Sequence, residues 1–183
     1  VSSGAIAAGM GSLGLQEKPT TLPQKQALAA IGQAGLMEIY EELFKIFHMK
    51  CSQILLNHDD FDDRKRLMNL NHTLNALIDY DVVPIINEND ALAVEEIKFG
   101  DNDTLAALLV PVIEAELLIL VSDIDGLYTA NPKVHPEAKL ISYVPKITKE
   151  IMSYAGDTSS KLGTGGMATK LKAARMVNDY GSH

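Results

Sequence analysis

The chain has no tryptophan, and only four phenylalanines and six tyrosines among its 183 residues. So few flat rings leave little platform for stacking bases. The charge points the same way: 16 lysines and arginines stand against 24 carboxylates, for a formal net charge of −8. Proteins of nucleic acids and membrane surfaces usually carry a basic stripe, so neither partner is expected, and an anionic ligand must be captured by local donors. Cys51 is the only cysteine. No internal disulfide can form, and a reducing compartment, the cytoplasm, is expected. Cys51 has no histidine or base motif beside it and reads as a structural thiol. No stretch approaches the roughly 18 apolar residues that span a bilayer, and no signal peptide is visible.

Two phosphate-binding signatures are also missing. GxxxxGK[ST] is absent, and Gly163-Thr164-Gly165-Gly166 lacks the third glycine of GxGxxG and lies far from any preceding strand. A nicotinamide dehydrogenase would further need a partnered acid about 20 residues on. What is present is a glycine-rich stretch, Gly156 to Lys172, with glycines at 156, 163, 165 and 166 running into a helix-forming segment. Glycine lets successive N–H groups curl inward around an anion. A helix N-terminus adds unpaired donors and partial positive charge, and Lys170 can reach a phosphate as a point charge. The stretch reads as a phosphate site.

Hydrophobic residues make up 46% and charged residues 22% of the chain, ordinary values for a globular domain with a substantial core. Val1 to Gly4 reads as a buried strand tip turning into a helix, Ala5 to Leu13. From Gln24, the spacing of Ala27, Leu28, Ile31, Ala34, Leu36, Ile39, Leu43 and Phe47 predicts a long amphipathic helix, mostly core and in lesser part an oligomer surface. Cys51 to Leu56 reads as a strand. A capped helix of about Phe61 to Tyr80 follows, its early charge run a solvated face. Val82 to Ile86 and Leu117 to Val121 read as buried strands. A loop or hairpin is expected over Ala91 to Phe99, and a helix from the Asp101–Asn102 cap through about Glu116, with Pro111 kinking it or shifting its start. Leu140 to Val144 reads as a short strand, Ile147 to Tyr154 as a short helix, and Met167 to Tyr180 as a helix closed by Gly181. This alternation predicts an α/β fold with a mostly parallel sheet and helices on both faces.

In such sheets ligands sit beyond the carboxyl ends of the strands. There the chain places Ser2-Ser3-Gly4, Asn87 to Asp90 and Ser122-Asp123, with the helix-opening Gly100 to Asp103 and the glycine-rich stretch beside them. Together they form a polar rim suited to phosphoryl transfer, which asks for positioning and cations more than covalent chemistry. Asp and Asn side chains suit the ammonium of a small acceptor. Backbone N–H groups at Gly4 and near Asn102 suit its carboxylate.

Four motifs carry a resemblance: SSGAIAAG at 2–9, PIINENDALAVEEIKFGDNDTLAAL at 84–108, VSDIDGLYTANP at 121–132 and KLGTGGMATK at 161–170. They resemble the glutamate 5-kinase branch of the amino acid kinase family. The joint NEND and GDND segments set them apart from the acetylglutamate, aspartate and uridylate branches. The resemblance runs over essentially the whole chain, as one domain over residues 1–183. It implies a three-layer αβα sandwich and ATP-dependent phosphorylation of the γ-carboxylate of L-glutamate, with Mg²⁺, as the first step of proline biosynthesis. It further implies proline as feedback inhibitor and a homo-oligomer. Carried over by motif, Ser3, Gly4, Asp90 and Asn102 bind glutamate. Ser122, Asp123, Thr164, Gly165, Gly166, Met167, Ala168, Thr169 and Lys170 bind the nucleotide. Lys170 stabilises the transferring phosphoryl group, Asp103 orients catalytic lysines, and Asp101 is a further candidate. Both chain ends read as cut. The family's N-terminal strand with its phosphate-gripping lysine, its last strands and the PUA domain that many members append fall outside the sequence. This stretch alone is therefore expected to be inactive or nearly so. The alternative is a non-catalytic amino-acid-binding module of the same fold, supported only by that missing lysine.

Overall fold

In a computed structural model, residues 1–92, 101–155 and 166–181 are described, and they divide into two compact units, Val1–Asn102 and Asp103–His183. The first unit is built as α1 (Ala5–Ser12), α2 (Leu22–Ile46), β1 (Lys50–Leu56), α3 (Asp59–Asp62), α4 (Arg64–Asp79) and β2 (Val82–Glu88). β1 and β2 pair in parallel, Lys50 opposite Val82 through Leu56 opposite Glu88. A parallel pair needs a crossover, which α3 and α4 supply. Leu56, Leu70, Leu74, Ile85 and Ile86 are buried along this β–α–β unit.

Local chemistry sets the helix starts. Thr21 and Gln24 form a reciprocal capping box at the head of α2, with Pro23 in its first turn. The single helix expected from Phe61 to Tyr80 is two. Asp63 has an extended backbone and its Oδ1 accepts from Arg66 N at 2.8 Å, so it breaks off α3 and caps α4. The acidic-then-basic run is thus spent on this cap and on an Asp60–Arg66 ion pair of 2.9 Å.

α2 buries a different face from the one its large residues mark. Leu28, Ala29, Gly32, Gln33 and Met37 are buried, whereas Ile31, Ile39, Leu43 and Phe47 are exposed. The reason is close approach. α1 lies so tightly on α2 that a Cβ at Gly32 would overlap the Ala5 carbonyl, and one at Gly9 the Leu28 carbonyl. Small residues, not large ones, mark that contact. Gly32→Ala is expected to destabilise the protein by about 1–3 kcal/mol or more, because backbone rather than a flexible side chain must yield. A lowered denaturation midpoint at unchanged m-value would register it.

The second unit holds α5 (Asn102–Val112, opening on the last residue of the first unit), α6 (Lys149–Ser153) and α7 (Met167–Asp179). Ala107 and Val110 of α5 pack with Ala173 and Val177 of α7, and Leu118 and Leu120 lie against them. The strand expected at Leu117 to Val121 is not formed: among the described residues this segment pairs with no strand. Its burial alternates. Leu118 and Leu120 are half-buried, while Leu117, Ile119 and Val121 are 61%, 74% and 84% exposed. The expected strand at Leu140 to Val144 reduces to one antiparallel bridge, Tyr128 to Leu140. α5 stops at Val112, short of Glu116. Pro111 sits in its last turn, and Glu114 turns left-handed at φ 52°. The short helix near residue 150 is there as α6, capped by Thr148, whose Oγ1 accepts from Ile151 N at 3.2 Å. α7 ends at Asp179, with Gly181 beyond it at φ 81°.

Candidate active site

At the head of the first unit, Gly4 caps α1 in the left-handed region, φ 93°, where a side chain would be strained. Ser3 and Gly4 are exposed, and buried Ser2 fixes them. Ser2 N donates to Ile86 O at 2.7 Å, its hydroxyl meets the Tyr40 hydroxyl at 3.0 Å, and its carbonyl accepts from Asn102 Nδ2 at 2.6 Å. The turn read from Ser2-Ser3-Gly4 is therefore tied both to the end of β2 and to Asn102.

Asn87, 2% exposed, lies at the centre of these contacts. Its Oδ1 accepts from Glu88 N at 2.9 Å and from Asn102 Nδ2 at 3.2 Å, and its Nδ2 donates to Gln33 Oε1 at 3.0 Å. Asp90, two residues past β2, lines a cleft of about 310 Å³ with Gln33, Met37, Gln53, Glu88 and Asn89. Four of the anticipated positions, Ser3, Gly4, Asp90 and Asn102, thus fall at the strand ends of the first unit. Three supports were not anticipated. Asn87 was in view as part of NEND but not singled out. Gln33 and Tyr40 sit on α2, and no local signal joins them to partners tens of residues away.

In the second unit, Lys170 Nζ lies 3.0 and 3.3 Å from the two carboxylate oxygens of Asp103. The side chains are 21% and 16% exposed, so the pair is largely shielded from solvent. Thr169 Oγ1 is 2.9 Å from Asp103 Oδ2 and 2.7 Å from Gly166 O, and it accepts from Gly166 N at 3.0 Å. A hydroxyl has one proton, and the carboxylate is the stronger acceptor. Thr169 thereby links the Asp103 carboxylate to Gly166, the N-cap of α7. Met167 and Ala168 lie in the first turn of that helix. Thr164, Gly165 and the rest of the glycine-rich stretch to residue 165 lie outside the described residues, as does most of the expected loop over Ala91 to Phe99. Ser122 and Asp123 are exposed; Asp123 Oδ2 stands 3.9 Å from Lys133 Nζ, with both side chains open to solvent.

Cys51 is partly buried in β1. Burial first, and Glu41 second, push its thiol pKa up. A raised pKa lowers the thiolate fraction, in keeping with a structural thiol.

Residues 1–182 match the model of the amino acid kinase family. The chain is 53% identical over 181 residues to a glutamate 5-kinase of Clostridium acetobutylicum, covering 99% of this chain and 68% of that one. It is 54% identical to a glutamate 5-kinase of Clostridium tetani at the same coverage, and 53% identical to that of a Thermoanaerobacter species, of which it covers 49%. The chain thus spans between about half and two thirds of the length of these relatives. With its whole length matched in this way, the chain belongs to the amino acid kinase family, and its relatives there are glutamate 5-kinases.

Proposed function

We propose that this chain is one domain carrying machinery of an ATP-dependent glutamate 5-kinase, which transfers the γ-phosphoryl group of ATP to the γ-carboxylate of L-glutamate. The observation that carries the reading is the Asp103–Lys170 pair at the head of α7, beside the amide of Gly166. It sits in a chain about half identical to proteins of that name.

A carboxylate acceptor is already an anion at neutral pH, since glutamate side chains titrate near 4.3. It needs no general base. The difficulty is to bring one anion against another, which calls for cations and N–H dipoles placed where charge collects. Lys170 and the N-terminus of α7 supply these on the phosphate side. On the acceptor side, Ser3, Gly4, Asp90 and Asn102 offer two acceptors for an ammonium group and a left-handed glycine turn for a carboxylate. As the γ-carboxylate oxygen bonds to phosphorus, the bond to the bridging oxygen breaks and ADP leaves. Mg²⁺ belongs to the same reading, but no cluster of three His, Cys, Asp or Glu able to hold a metal occurs among the described residues.

The reading extends to a three-layer sandwich around the parallel pair, a place at the start of proline synthesis, proline as an inhibitor, and a cytoplasmic homo-oligomer. The exposed Ile31, Ile39 and Leu43 of α2 support the last point. No helix among the described residues is long and apolar enough to cross a membrane.

In the full-length protein, ADP release is expected to require L-glutamate, and its absence at saturating ATP would refute the reading. Asp90→Asn should raise the KM for glutamate on the order of 10- to 100-fold, the worth of a hydrogen bond to a charged group. The KM for ATP should stay near wild type. Equal loss toward both substrates would remove Asp90 from the acceptor side.

A further inference from the structure

Buried amides in a row fix one another's orientation, because a carbonyl only accepts and a backbone N–H only donates. In the first unit two backbone groups pin such a row. Ser2 O obliges Asn102 to turn its nitrogen inward, at 2.6 Å. Glu88 N–H obliges Asn87 to present its oxygen, at 2.9 Å. The rest follows without freedom: Asn102 Nδ2 gives its second proton to Asn87 Oδ1 at 3.2 Å, and Asn87 Nδ2 can only face an acceptor, Gln33 Oε1, at 3.0 Å. Both protons of Asn102 Nδ2 are then used. Its one remaining side-chain atom for a ligand is the carbonyl oxygen. At the other end of the row Gln33, 8% exposed, lines the Asp90 cleft, and its Nε2 is buried with no partner among the described residues.

We propose that Gln33 is a positioning residue of the acceptor site: by accepting from Asn87 it holds in place the asparagine against which Asn102 is anchored, so that Asn102 keeps its carbonyl oxygen placed for the ligand. The site then selects acceptors that bring a charged N–H donor, the free ammonium of an amino acid. This rests on the acceptor assignment made above and adds a residue that no local motif marks. Loss of the Gln33 acceptor leaves Asn87 Nδ2 buried and unpaired, so Asn87 shifts toward another partner and Asn102, still turned by Ser2 O, loses its second anchor. An ammonium would then meet a displaced carbonyl oxygen.

Calorimetry on the full-length protein tests this with L-glutamate, glutarate and a non-hydrolysable ATP analogue as titrants. Gln33→Met keeps the volume and removes the acceptor. It should weaken L-glutamate binding about tenfold, the cost of an unsatisfied buried group, while leaving ATP-analogue binding within about twofold. Gln33→Glu keeps an oxygen opposite Asn87 and should restore most of the glutamate affinity. Wild type should bind glutarate, which lacks the ammonium, at least about tenfold more weakly than L-glutamate. The proposal is overturned if Gln33→Met binds glutamate like wild type, if Gln33→Glu is as weak as Gln33→Met, if nucleotide affinity falls in step, or if glutarate matches glutamate. Glutamate-dependent ADP release by wild type is read separately. Binding without turnover would overturn the kinase reading but not the role of Gln33, and no binding of L-glutamate at all would overturn both.

Discussion

Replacing Lys170 by alanine in the full-length protein is expected to lower kcat by about 10²- to 10³-fold, the usual loss when one preorganised charge-stabilising group is removed. The KM for L-glutamate should move only a few-fold. Charge on the transferring phosphoryl group and leaving oxygen grows on the way to the transition state, so an interaction with it strengthens there and appears in kcat rather than in ground-state affinity. The surroundings of Lys170 support the larger end of the range. Its side chain is 21% exposed and held by a carboxylate that is itself 16% exposed. Charges so shielded from solvent and salt interact more strongly than surface pairs. Lys170→Arg should recover only part of the loss, because the planar guanidinium cannot reproduce a point charge held at 3.0 and 3.3 Å from the two Asp103 oxygens. Steady-state kinetics of the three proteins decide it, and an alanine variant within a few-fold of wild-type kcat would remove Lys170 from the chemistry.

How much of this was legible in the sequence depends on the range of the contacts. Parallel strands at Lys50–Leu56 and Val82–Glu88 could be read because they are short apolar runs followed by polar turns. The start of α7 could be read because glycine chemistry is local. Leu117 to Val121 misled for the converse reason. Five apolar residues in a row look like a strand buried on both faces, yet only Leu118 and Leu120 meet the Ala107–Val177 cluster. Nothing in the run itself says whether a partner strand is there. α2 misled more instructively. Hydrophobic periodicity weighs large side chains, so it picked Ile31, Ile39 and Leu43. The buried face is set instead by Gly32, which lets α1 come close, and by Gln33, which is polar. A buried glutamine can be recognised only from its partner, and Asn87 is 54 positions away. The candidate site behaves likewise. Residues that touch a ligand lie in recognisable motifs, whereas those that orient them lie on a helix with another apparent purpose.

Asp103→Asn is the second large effect expected, and two forces on Lys170 oppose each other in it. Removing the counter-charge leaves the ammonium less neutralised, which by itself would favour a phosphate ligand. It also removes the carboxylate that holds that ammonium, and it weakens the acceptor opposite Thr169 Oγ1 at 2.9 Å. A displacement of about 1 Å at a reacting centre can cost about 10²-fold. The gain from an unmasked charge is limited, because a lysine released from its anchor moves toward water and is solvated there. Loss of position should therefore win, with kcat falling about 10- to 100-fold and the KM for ATP changing little. The decisive comparison is the double variant. If Asp103 acts through Lys170, Asp103→Asn should have almost no further effect once Lys170 is alanine, so the two losses will fall well short of adding. Full additivity would mean that Asp103 acts on the reaction by another route, and that its 3.0 Å contact with Lys170 serves folding rather than transfer.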